Sequence, residues 1–258
     1  MRGSALDAFL ISQIYAWLLV FTRIGTAFSI MPTMAEPFIS TRIRLLLALM
    51  ISVVVAPYVR QYLPPMPKSG LGMAMLIGQE VLIGIFIGTL ARLLMSALET
   101  AGMIIAIQSS LANAFVFNPA MASQGSLPGA LMGMVGVLLL FAADLHHMLI
   151  LAAVDSYTLF EAGAPLPLGD FAKTIVEMVS RSFLLGVQLS APFLVTGLLF
   201  ALALGLIARL MPQIQVFFIF MSAQVGIGLF LFGLTLSAMM LYWLQGFEAT
   251  MINLLNPN

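Results

Sequence analysis

Six ionisable residues lie in or beside strongly apolar stretches of this 258-residue chain: Arg23, Glu80, Arg92, Asp144, His146 and His147. On insertion scales a charge at the bilayer centre costs about 2.5–3.5 kcal/mol, so a carboxylate kept there is a natural proton carrier or substrate ligand. A packing salt bridge between helices or between subunits explains Glu80 as well. Glu80 and Arg92 are twelve residues apart, about 120° round an ideal helix and roughly 18 Å along it, so they cannot pair with each other. Their partners have to be other helices, other chains or water. Arg23 and Arg92 fall near the ends of apolar segments, where a long side chain can snorkel to the interface. His146 and His147 beside Asp144 raise the question of a metal site. Adjacent helical positions point about 100° apart, which predicts that the two imidazoles do not share one ion.

The other patterns that carry chemistry are missing. The sequence has no HExxH, no GxSxG elbow, no P-loop and no pair of glycine-flanked intramembrane aspartates. With no cysteine, a disulfide framework, a thiolate metal site and a cysteine nucleophile are all excluded. Ten basic residues balance ten acidic ones without a block of either sign, so the footprint of a nucleic-acid-binding protein is absent. The expectation is a protein that is not an enzyme, with no cofactor, no resident metal and no nucleic-acid partner.

The elements that must position these charges follow from composition. Apolar residues make up 62% and charged residues 8%, whereas soluble domains run near 45–50% and about 25%. Apolar segments long enough to span about 30 Å of hydrocarbon occur at roughly 8–31, 43–59, 71–97, 130–154, 183–208 and 213–245. The first keeps Asp7 in front and Arg23 inside and has no small-residue cleavage site, so it reads as a mature helix and not a signal peptide. The second ends at Pro57 and runs into Leu63-Pro64-Pro65-Met66-Pro67. With Arg42 and Arg44 before it and Arg60 and Lys68 after it, the Lys/Arg rule favours neither orientation.

Four local patterns refine this layout. Gly84 with Gly88, and Gly129 with Gly133, form GxxxG spacings that allow close helix approach. In the polar stretch 155–182, Asp170 is placed to cap a helix whose face carries Phe171, Ile175, Met178 and Val179, with Lys173, Glu177 and Arg181 on another. That helix reads as a solvated connector in preference to a lipid sensor or docking helix. From Leu210 to Phe247 there is no charge; a continuous helix of that length would measure roughly 57 Å. Pro212 breaks its start, and Gly226, Gly228 and Gly233 predict a bent helical hairpin. Between the third and fourth long segments, Asn118 before Pro119 predicts an irregular loop, tolerated at membrane depth only where it is buried in protein or lines a cavity. Phe115 and Phe117 are then core plugs or a hydrophobic constriction.

Taken in order, these residues resemble the FliR family of the flagellar type III export apparatus, with its injectisome T-subunit counterparts. The resemblance runs through Arg23 and Pro32, Arg42-Ile43-Arg44-Leu45 leading to Pro57, Gln79-Glu80-Val81-Leu82-Ile83-Gly84 with Gly88, and Thr100-Ala101-Gly102 through Gln108. It continues through Asn118-Pro119-Ala120 and Leu204-Gly205-Leu206-Ile207-Ala208-Arg209-Leu210-Met211-Pro212-Gln213 with Phe217. The chain departs from the family pattern at Asn118, where Asp is usual, at Met103, where Glu is common, and at Met221-Ser222-Ala223-Gln224, a stretch that usually carries a proline.

The resemblance implies an all-α, polytopic, membrane-associated bundle with kinked helices and helical hairpins: a FliP-like part, about 1–182, fused to a FliQ-like hairpin, about 183–258. It implies a subunit of a protein-export gate in the bacterial inner membrane and flagellar basal body, assembled with FliP and FliQ, working with FlhB and FlhA, and passing unfolded flagellar substrates. The family's plug matches positions about 109–126, which makes Phe115, Phe117, Asn118, Pro119 and Met121 plug candidates. Arg23, Glu80, Arg92 and Arg209 are expected as buried or inter-subunit charges, and Gly84, Gly88, Pro212 and Gln213 as packing or break positions. A hydrophobic constriction can gate by dewetting, and the nineteen methionines include flexible side chains suited to varied surfaces, although most are expected simply to fill helix contacts. The reading from a different class is a stand-alone proton-coupled secondary transporter that uses Glu80 or Asp144 near the midplane.

Overall fold

A computed structural model describes residues 2–113, 125–210 and 216–255. Among these, seven α-helices follow one another with no strand: α1 Arg2–Ile30, α2 Thr41–Val59, α3 Gly70–Gln108, α4 Leu127–Ala142, α5 Leu145–Leu159, α6 Leu168–Leu210 and α7 Val216–Leu255. Helix starts use side-chain oxygens where the backbone donors would otherwise be orphaned. Ser40 Oγ accepts from Ile43 N at 3.4 Å and Ser126 Oγ from Gly129 N at 3.1 Å. Within the apolar helices, hydroxyls turn back to their own backbone, as Thr22 does to Leu18 O at 2.8 Å and Thr235 to Leu231 O at 2.8 Å. In a medium without water this is how a lone hydroxyl is satisfied.

Five helices are long and apolar enough to cross a membrane, and the broken pair α4 and α5 makes a sixth if it forms one span. Several segments differ from their sequence-based outline. Helix α2 continues two residues past Pro57 before a 3₁₀ turn at Arg60–Tyr62. Helix α3 runs to Gln108, beyond the predicted end at 97. The segment predicted over 130–154 is interrupted at Asp144, whose φ of 57° lies in the left-handed region. The amphipathic stretch and the span after it are one helix, α6, of 43 residues, which continues through Pro192; no proline stands between Asp170 and Pro192.

The hairpin predicted inside 213–245 is overturned. Helix α7 passes straight through Gly226, Gly228 and Gly233. The reason is visible at Gly228, where a Cβ would come within 2.5 Å of Ser109 Cβ. This glycine makes room for a neighbouring side chain instead of supplying a bend.

The chain packs as two compact units. In the first, formed by residues up to Arg92 with Phe141–Glu177 and the end from Leu254, α1 packs along α2 and Leu19, Ile24, Phe28, Met31, Ile83 and Tyr157 are buried. Gly84 and Gly88 let α3 touch α1: a Cβ at Gly84 would overlap Thr26 and come within 2.5 Å of Arg23 O, and one at Gly88 would lie 2.9 Å from Ala27 O. In the second unit, Leu93–Leu140 with Met178–Asn253, Trp243, Phe193, Phe247, Leu94 and Leu98 are buried. There Gly129 meets Gly102 so closely that a Cβ on Gly102 would collide with it, whereas Gly133 faces open space, so only half of the second GxxxG spacing is used.

Candidate functional site

The centre of the first unit is polar. Arg23 on α1 and Glu80 on α3 are both 0% exposed. Arg23 Nε donates to Glu80 Oε2 at 2.6 Å and its Nη2 donates to Glu80 Oε1 at 3.0 Å, the bidentate geometry that makes Arg–carboxylate pairs strong. Helix α5 completes the site. Arg23 Nη1 donates to Ser156 Oγ at 3.1 Å and Nη2 to Phe160 O, just past the end of α5, at 3.0 Å. Tyr157 donates its phenol to Glu80 Oε2 at 3.3 Å and lays its ring 3.7 Å from the guanidinium carbon. Four of the five guanidinium N–H bonds therefore have partners.

Arg23 does not snorkel. It lies within the apolar stretch Leu10–Ile30, and its length is spent reaching inward across α3 and α5. Phe160 leads into an aromatic cluster beside the pair. Phe86 on α3 stacks on Phe171 of α6 with centroids 4.0 Å apart, and Phe160 meets Phe171 edge-on at 5.0 Å. Phe171 is buried, so the start of the amphipathic stretch docks within its own chain, whereas Val179 farther along the same face is exposed.

A second pair ties α3 to the α1–α2 connection: Arg92 Nη1 lies 3.0 Å from Glu36 Oε1, with side chains 44% and 13% exposed. Arg44 braces the same connection through Nε to Met34 O at 2.8 Å. Arg209 stands exposed on the last turn of α6. Phe115, Phe117, Asn118, Pro119, Met121, Pro212 and Gln213 lie outside the described residues.

The entry to the plug-candidate segment is fixed in the second unit. Ser110, at φ 57°, stands two residues after the end of α3. Its hydroxyl donates to Gln224 Oε1 on α7 at 2.9 Å, and Gln224 Nε2 donates to Gln108 O at 2.5 Å. Gln108 itself fills the space that a side chain at Gly197 would take. Sequence reasoning marks Gln224 only as a departure from a family pattern and misses its bonding. It also misses Ser156 and Tyr157, because 155–182 reads as a polar connector. Two hydrogen-bonding residues directly after the apolar run that ends at 154 are the available signal.

A model of the family described as bacterial export proteins, family 1, matches residues 14–250. A flagellar biosynthetic protein FliR from Caulobacter vibrioides is 41% identical over 231 residues, covering 90% of this chain and 92% of that one. The chain belongs to the FliR family. The Escherichia coli FliR is 31% identical over 219 residues, 84% of this chain and 82% of its own. The Yop proteins translocation protein T of Yersinia pestis is 30% identical over 155 residues, 59% of either chain. This FliR-family chain is thus an integral-membrane component of a flagellar type III export apparatus. Its buried Arg23–Glu80 pair falls inside the matched region.

Proposed function

We propose that this chain is a structural and gating subunit of the export channel in the bacterial inner membrane. On this reading it assembles with FliP and FliQ, works with FlhB and FlhA, and lines the path of unfolded flagellar substrates. Residues 1–182 are the FliP-like part and 183–258 the FliQ-like hairpin, here made by the second half of α6 and α7. Phe115 and Phe117, with Asn118, Pro119 and Met121, form the plug, and Arg209 meets a neighbouring subunit.

The supporting observation is length. Helices α3, α6 and α7 have 39, 43 and 40 residues, or about 58–65 Å at 1.5 Å per residue. A hydrocarbon layer of about 30 Å crossed at a steep tilt of about 40° accommodates only about 39 Å of helix. Yet apolar side chains continue: Leu184, Leu198, Leu202, Leu206 and Leu210 on α6 are all exposed. The remainder of each helix needs protein beside it, which a multi-subunit gate supplies and a solitary carrier does not. Glu80, held by Arg23 in a closed network, fits a fastening role better than proton carriage.

The test is purification from membranes after mild detergent extraction, with native mass measurement. The expected result is a single large assembly containing FliP and FliQ. A monodisperse monomer that transports a small solute in liposomes would overturn the proposal in favour of the carrier.

A further inference from the structure

The chain has two histidines, and both stand in one turn. Helix α4 ends at Ala142, Asp144 takes the left-handed conformation, and α5 begins at Leu145. At this break one ring nitrogen from each of His146 and His147 and one carboxylate oxygen of Asp144 lie within 4.8 Å of one another. The imidazole centroids are 4.0 Å apart, and His147 Nδ1 is 3.6 Å from Asp144 Oδ1. The expectation from helical spacing, that adjacent histidines diverge too far to share an ion, does not hold here: the two rings sit side by side.

Two further features set the cluster apart from a chance surface grouping. His146 Nδ1 is shut off from solvent and has no hydrogen-bond partner among the described residues, its ring resting against Phe141 at a centroid distance of 5.0 Å. Asp144 holds a backbone conformation uncommon for a residue with a side chain, and its carboxylate does not cap the helix it precedes. It is left 80% exposed, beside His147 at 66%. The turn presents two imidazoles and a carboxylate with little competing for them.

We propose that Asp144, His146 and His147 form a binding site for a divalent transition-metal ion, with Zn²⁺ the best match. Bonds of about 2.0–2.2 Å from nitrogen and oxygen to tetrahedral Zn²⁺ put neighbouring ligand atoms about 3.3–3.5 Å apart, so side-chain rotations that close the cluster by a little over an ångström complete it. Two imidazoles with one carboxylate select Zn²⁺, Ni²⁺ or Cu²⁺ over Mg²⁺ and Ca²⁺, which require oxygen donors. Water fills the remaining position. Bound metal pins the Asp144 turn and so the connection from α4 to α5.

The test uses the full-length chain in detergent with any affinity tag removed, since these are its only histidines and it has no cysteine. Equilibrium dialysis against Zn²⁺ is expected to give one ion per chain, weakened at least about tenfold in His147→Ala and in Asp144→Asn, and not displaced by a hundredfold excess of Mg²⁺. Both substituted side chains are exposed, so the fold is retained. Co²⁺ in place of Zn²⁺ should give visible absorption bands that His147→Ala loses. Equal Zn²⁺ affinity in wild type and His147→Ala, or displacement by Mg²⁺, overturns the proposal.

Discussion

Removing the charge of Glu80 while keeping its shape should loosen α1 from the first unit by several kcal/mol. In Glu80→Gln, a neutral amide faces a guanidinium that is 0% exposed and has donated two hydrogen bonds to the carboxylate, at 2.6 and 3.0 Å. Hydrogen bonds to charged groups contribute about 1.5–3 kcal/mol each, and breaking a buried pair from one side costs about 3–5 kcal/mol because a charge is left uncompensated. At about 1.4 kcal/mol per decade, that is about two to three and a half decades in the opening equilibrium. The chain has no cysteine, so Val20→Cys, close in size and fully buried one turn before Arg23, gives a single reporter. Its maleimide labelling rate under native conditions should rise about 10²–10³-fold when Glu80→Gln is added. Replacing both partners, Arg23→Met with Glu80→Leu, removes the stranded charge and should bring labelling back towards the parent rate. A rise below tenfold in the single variant, or a double variant as open as the single one, would refute the view that charge compensation holds these helices together.

Three other substitutions test neighbouring steps. Gly84→Val places a side chain against Arg23 O and Thr26, and should cost about 1–3 kcal/mol by overpacking, read as about a 5- to 150-fold rise in labelling of the same reporter. Gln224→Ala removes the bonds to Ser110 and Gln108 O; a loss of about 1–3 kcal/mol should show as faster hydrogen exchange of the amides at residues 108–111, with the first unit unaffected. Phe115→Ala with Phe117→Ala should leave assembly yield unchanged and make the closed gate leak small ions, with unchanged membrane conductance in the assembled double variant counting against the plug assignment.

What is legible from residues alone and what is not separates along physical lines. Helix positions follow from runs of apolar residues, and the C-terminal ends of α1 and α2 are legible to within about a residue. The close approach at Gly84 and Gly88 is legible too, because small residues four apart mark one helix face. Pairing is not. Arg23 and Glu80 are 57 residues apart, and which carboxylate meets which cation depends on helix rotations that periodicity does not fix. Proximity to a segment end suggests snorkelling for Arg23, yet the low-dielectric interior rewards a partner with several hydrogen bonds, and α5 brings Ser156 and Tyr157 to complete it. His146 and His147 both stand in the first turn of α5, so the 100° rule holds for their Cα–Cβ directions; what it leaves out is side-chain rotation, which brings the two ring centroids to 4.0 Å.

The contrast between that break and the unbroken α7 is a matter of solvent. In water a helix opened at glycine exchanges its backbone bonds for bonds to solvent, so about 1 kcal/mol of propensity per glycine can decide the outcome. In apolar surroundings each freed N–H or C=O costs several kcal/mol, and three glycines at 226, 228 and 233 do not offset the groups a hairpin would strand. Helix α6 continues through Pro192 for the same reason: one missing donor costs less than opening the whole turn. Asp144 differs because it is exposed, and its turn bonds back through Asp144 N to Phe141 O at 3.2 Å and His147 N to Asp144 O at 3.1 Å. A break is therefore expected in such chains where a polar residue can carry the turn's unpaired groups to water or to a metal, and a glycine without that help is better read as a place where another helix comes close.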